Sequence, residues 1–108
     1  MALDIHLAKS RKEAPYTDAT TCFEEHIHEF IFDKTCLPEN IFPLFKRMAD
    51  YYKDTHYDFS EIESLVNEIS RIKKLFSKDI IVQEQLTKIE MACVKAMESK
   101  LSIWVFCD

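Results

Sequence analysis

The chain contains no glycine in 108 residues, where soluble proteins average about 7%. Three functional classes fall with it. Phosphate-cradling loops, dinucleotide fingerprints and nucleophile elbows all need glycine where the backbone approaches a ligand or takes a strained turn. Two-residue hairpins of type I′ or II′ are disfavoured for the same reason. No apolar run reaches the roughly 18 residues of a membrane span. The start, MALDIHLAKSRK, places its charge after a short apolar stretch, unlike a secretory leader. A soluble, cytoplasmic protein is expected. Cysteine is sparse: Cys22, Cys36, Cys93 and Cys107 are widely spaced, with no CxxC pair. They read as reduced, mostly buried thiols with no zinc-type spacing, and an oxidising compartment would allow two disulfides.

What is present is apolar and unevenly charged. At 47% hydrophobic, with eight Phe and one Trp, the chain can bury a core, and residues 1–108 read as one domain. The formal net charge of −5 coincides with one segment. Residues 50–68, DYYKDTHYDFSEIESLVNE, hold six acids against one base, while acids and bases cancel elsewhere. Tyr51, Tyr52, Tyr57, Phe59 and His56 are interleaved with those acids. Such a field, with flat aromatic anchors, suits capture of a basic partner. The same residues also read as an acidic loop followed by a solvated helix start.

Periodicity gives the expected elements. Leu3, Ile5 and Leu7 alternate with polar residues, predicting a strand over 2–7. Thr21-x-x-Glu24 is a capping-box pattern ahead of Phe23, Ile27, Phe30 and Ile31, predicting a helix over 21–33, broken by the segment containing Pro38. Phe42, Phe45, Met48, Ala49 and Tyr52 predict a second helix over 41–53, with Pro43 in its first turn and Tyr52 inside. Residues 54–59 read as a loop. Ser60-x-x-Glu63 and the Ile62–Phe76 stripe predict a third helix over 61–76. Ser77 or Asp79 caps a fourth over 79–99. LSIWVFC at 101–107 reads as a strand beside residues 2–7. The fold class expected is mainly α: a compact four-helix bundle closed by a short two-stranded ribbon of the N- and C-termini.

Catalytic and metal constellations are incomplete. Glu25-x-x-His28 has the spacing of one half of a di-iron site, but no second Glu-x-x-His exists. Cys22 and His26 are one helical turn apart, and a lone pair does not make a zinc site. His56 between Asp54 and Asp58 carries no nucleophile motif. An acidic pI near 5.3 disfavours nucleic acid as a partner. No catalytic residue, cofactor or metal is expected.

The order MALDIHL, HIHEFIF, FPLFKRMADYYKDTHYDFSEIESLVNEI and LSIWVFCD resembles small bacterial immunity proteins. These neutralise the toxin domains of contact-dependent growth inhibition and related polymorphic toxin systems. The resemblance implies a non-enzymatic inhibitor of one cognate toxin, often a nuclease, blocking its active site. The competing class is an adaptor or regulatory helical domain without a toxin partner. The surface expected to bind a basic, nuclease-like toxin comprises Asp50, Tyr51, Asp54, His56, Tyr57, Asp58 and Glu61, with Glu25 and Glu29 beside it. Tyr51 or Tyr57 is expected at the surface as a hot spot.

Overall fold

Alternation at the N-terminus produces a strand, β1, over Ala2–Ala8, whose Leu3, Ile5 and Leu7 are buried. A computed structural model describes residues 2–34 and 40–107; the break at Pro38 and the thiol of Cys36 lie outside them. After β1, residues 9–20 make one 3-10 turn at Ala14–Tyr16 and lead into β2, Thr21–Glu24. A short helix α1, Glu25–Glu29, runs on into a single π turn over Phe30–Lys34. A 3-10 turn at Phe45–Met48 precedes β3, Thr55–Tyr57. Two long helices follow, α2 at Phe59–Leu75 and α3 at Ile80–Ser99, then β4 at Ser102–Cys107.

The four strands form one antiparallel sheet in the order β2-β1-β4-β3. β1 pairs with β4 from Leu3 opposite Cys107 to Ala8 opposite Ser102. That register turns Leu3, Ile5, Ile103 and Val105 to one face, where they are buried. Two stripes cover this face: Ile62, Leu65, Ile69 and Ile72 of α2, and Val82, Leu86, Ile89, Cys93 and Ala96 of α3. Each fully buried Leu or Ile stabilises the fold by about 1.5–3 kcal/mol. The other face carries His6, Trp104 and His56 in one row across three strands.

The protein is therefore α+β and not a mainly-α four-helix bundle. The expected terminal pairing is real, but it is the centre of a four-stranded sheet rather than a two-stranded ribbon. Thr21–Glu24 is a strand, not a helix start. Thr21, Cys22 and Phe23 suit a strand, and β1 offers an unpaired edge that they fill, with Phe23 opposite Leu3. The helix expected at 41–53 shrinks to the 3-10 turn. The amides of Leu44 and Phe45, which would open it, donate to the Glu68 carboxylate at 3.1 and 3.0 Å. The 54–59 loop contains β3.

One helix cap is a local correction, and one falls on an expected residue. Helix α2 starts two residues early: Asp58 and Glu61 form its capping box, not Ser60 and Glu63. Asp79 caps α3 by accepting from the Val82 amide at 3.1 Å. Without glycine, α3 ends on Lys100 in the left-handed region at φ 56°, a position glycine ordinarily fills. Both sheet edges are closed by side chains. The Gln85 amide bridges Cys22 O (2.8 Å) and Glu24 N (3.1 Å). Arg47 donates to His56 O on β3 at 3.2 Å. Such closure suppresses edge-to-edge pairing.

Candidate partner-binding cleft

The acids of residues 50–68 divide by what their oxygens accept. Glu68 is buried and holds Leu44 and Phe45 by their amides. Asp58 and Glu61 cap α2. Glu61 also takes both arms of the Arg47 guanidinium, with Nη1 to Oε1 at 3.1 Å. That charge-assisted bond holds its carboxyl below the usual carboxylate range. Asp54 accepts from the Cys107 amide at 3.0 Å, and the carboxylate pushes the Cys107 thiol up. Asp50 accepts from the Tyr52 amide at 3.0 Å and stays exposed, as does Glu63.

Asp50 faces a second group of acids. Glu25, Glu29 and Asp33 recur every four residues through α1 and its π turn. Together with Asp50 and Tyr52 they line a cleft of about 290 Å³, with His28 and Tyr51 at its floor. Four carboxylates thus converge from two elements far apart in sequence. Their summed field is strongest in a concave site with low-dielectric walls. Tyr52, 69% exposed, stands at the rim as an aromatic contact.

The floor is rigid. His28 is buried, and its Nε2–H donates to the Met48 carbonyl at 2.6 Å. Its ring meets Phe32 at 4.6 Å, Tyr51 at 4.7 Å and Phe23 at 5.1 Å. Burial pushes its pKa down, opposed by the Met48 bond and by Asp33 and Asp50. At neutral pH it is a neutral donor that ties α1 to the 3-10 turn.

The cleft takes Glu25, Glu29, Asp50 and Tyr51 of the expected surface; Asp54, His56, Tyr57, Asp58 and Glu61 do not line it. Tyr57 is a core residue, 0% exposed, whose hydroxyl donates to Leu44 O at 2.6 Å. Burial drives its pKa well above the ordinary tyrosine value. Tyr51 is 8% exposed and donates to Phe23 O at 3.4 Å. Neither is the exposed hot spot expected, while Tyr52, expected inside, is outside. The 3-10 turn ends at Met48, so the helical phase used to choose between Tyr51 and Tyr52 does not extend to them. His56 stacks on Trp104, centroids 3.9 Å apart, on the open face of the sheet. Its Nε2 lies 3.3 Å from Asp58 Oδ1, near enough for an ion pair when protonated but not aligned as a hydrogen bond.

Glu68 and Gln85 were missed as functional positions in the fold. The signal was available: each is the polar member of an apolar stripe, at i+3 from Leu65 and from Val82. A polar side chain on a core face needs partners, and both hold backbone of residues 22–45. Among the described residues no three His, Cys, Asp or Glu are grouped to hold a metal. Cys22, Cys93 and Cys107 are free thiols. Burial pushes Cys93 up to about 12, so it is no nucleophile at neutral pH. Among the described residues no helix is long and apolar enough to cross a membrane. No known protein family, curated protein or solved structure matches the chain.

Proposed function

We propose that this chain is a non-catalytic protein-binding module that captures and neutralises a basic partner, as an immunity protein does to a nuclease-like toxin domain. One observation carries the reading. Glu25, Glu29, Asp33 and Asp50 converge on one cleft, rimmed by an exposed tyrosine and floored by a hydrogen-bonded histidine. A basic substrate groove is the complement of such a surface. The acids steer encounter and the tyrosine supplies desolvated contact area. The charge that matters is not the whole run 50–68, because Asp54, Asp58, Glu61 and Glu68 already serve caps and backbone amides away from the cleft.

The test is capture from the native host with the tagged chain, and identification of what is retained. A basic toxin domain whose toxicity the chain suppresses is the expected result. Glu25→Lys, Glu29→Lys and Asp50→Lys together should abolish both capture and protection while melting is unchanged. A partner retained equally by that triple variant would move the interface off the cleft. A retained partner of acidic surface would reject the reading.

A further inference from the structure

Helix α1 and its π turn form a ridge with two unlike flanks. One flank is the acidic cleft with Glu25 and Glu29. The other opens on a groove of about 670 Å³ at the turn between α2 and α3, lined by Phe30, Leu75, Phe76, Ile80, Ile81 and Lys78. Three of these aliphatics are largely exposed: Leu75 at 63%, Ile80 at 74% and Ile81 at 61%. Single exposed aliphatics are ordinary, but several around one groove mark an interaction surface.

A basic stretch borders this groove: residues 71–78, RIKKLFSK, hold four bases and no acid, and Lys78 lines the groove. Asp79, which lines it too, is occupied as the cap of α3, where it accepts from the Val82 amide. Two of the bases are engaged: Lys73 pairs with Glu90 at 3.3 Å, and Arg71 lies over the Phe42 ring and donates to Ile41 O at 3.4 Å. Lys74 and Lys78 are exposed and make no ion pair among the described residues. Across the ridge the surface therefore runs from acidic, through apolar, to basic.

A surface of that order is complementary to itself under a two-fold rotation. Apolar centre meets apolar centre, and each acidic flank meets a basic flank. An acidic or a basic partner would satisfy one flank and oppose the other. We infer that the occupant of this groove is a second copy of the chain. The two copies lie antiparallel across the α1 ridges. Leu75, Ile80 and Phe30 are buried at the centre, with Lys74 and Lys78 of each copy against Glu25 and Glu29 of the other. The dimer covers the acidic cleft, so a basic partner and the second copy compete for the same carboxylates.

Sedimentation velocity on the purified full-length chain tests this without the partner. The expected result is a concentration-dependent dimer. Ile80→Asp should make it monomeric with melting unchanged, because the side chain is exposed and an acid suits the first turn of a helix. Two further variants probe the flanks: Lys74→Glu with Lys78→Glu, and Glu25→Lys with Glu29→Lys. Each pair should weaken self-association by at least about tenfold, since like charges then oppose. Mixing those two variants should restore a dimer, because acid again meets base on both flanks. A chain that stays monomeric up to about 0.1 mM would overturn the inference. So would a dimer indifferent to Ile80→Asp, or two flank variants that do not associate when mixed. Binding of a monomeric chain to anionic vesicles, lost in Leu75→Asp, would assign the groove to a membrane surface and also overturn it.

Discussion

Along α2 and at its N-cap, Asp58, Glu61 and Glu68 turn their oxygens to backbone amides and one arginine. On the flank of α1 and the turn facing it, Glu25, Glu29 and Asp50 are exposed around a cleft. The first set builds the protein; the second, although Asp50 accepts the Tyr52 amide, faces a cleft that is open to a partner. A count of charge therefore does not locate a recognition surface. What locates it is where the lone pairs already go.

The largest effects separate core from rim among the tyrosines. Tyr57→Ala should cost about 3–5 kcal/mol in urea unfolding, as a large buried aromatic does, and Tyr52→Ala should stay within about 0.5 kcal/mol. Equal costs would erase the distinction between floor and rim. Next in size is Glu68→Ala, which leaves the Leu44 and Phe45 amides without their acceptor and should cost about 2–3 kcal/mol. Glu68→Gln keeps one acceptor oxygen and should recover more than half of that loss. A Gln variant as unstable as Ala would mean that the negative charge, and not the hydrogen bonding, holds the 44–45 turn.

The pH response sharpens the same contrast. The pKa of His28 is lower in the folded protein than its ordinary 6.5, so the unfolded chain binds its proton first. Stability should therefore fall as pH drops below about 6.5 and level off below the folded value. His28→Gln keeps an N–H donor and should flatten that limb of a melting-versus-pH curve. Glu61 behaves in its own window. Its folded pKa is depressed from 4.5 by Arg47, so its contribution is present above about 4.5 and lost as pH falls through the folded value. Both partners are substantially solvent-exposed, so Arg47→Met should cost only about 0.2–1 kcal/mol at neutral pH. A larger loss, read by chemical unfolding, would show that closing the β3 edge matters more than the ion pair.

The legible parts of the fold were those with many repeats of one local period. The Ile62–Ile72 stripe of α2 and the Val82–Ala96 stripe of α3 span several turns each, and Leu3–Leu7 alternates cleanly. The pairing of β1 with β4 followed from two apolar strands that need cover. Residues 21–57 were illegible for a physical reason. Their conformation is imposed by side chains distant in sequence: Gln85 on β2, Glu68 on the 44–45 turn, and Tyr57 on Leu44 O. A four-residue strand with one fully buried side chain, Phe23, has no period to read. Of the candidate site, Glu25, Glu29 and Asp50 were visible as charges. Their convergence on one cleft depends on the His28–Met48 bond, which no local pattern encodes.

The central claim is that the cleft acids, and not the acids at the start of α2, recruit the basic partner. The most direct measurement is the association rate of the captured partner with two variants, each lacking three negative charges. One carries Glu25→Gln, Glu29→Gln and Asp50→Asn. The other carries Asp54→Asn, Asp58→Asn and Glu61→Gln, isosteres that preserve the α2 cap. At low ionic strength the cleft variant should associate at least about tenfold more slowly, with a shallower salt dependence, and the α2 variant should change less than about threefold. Equal slowing of the two, or slowing of the α2 variant alone, would contradict the account.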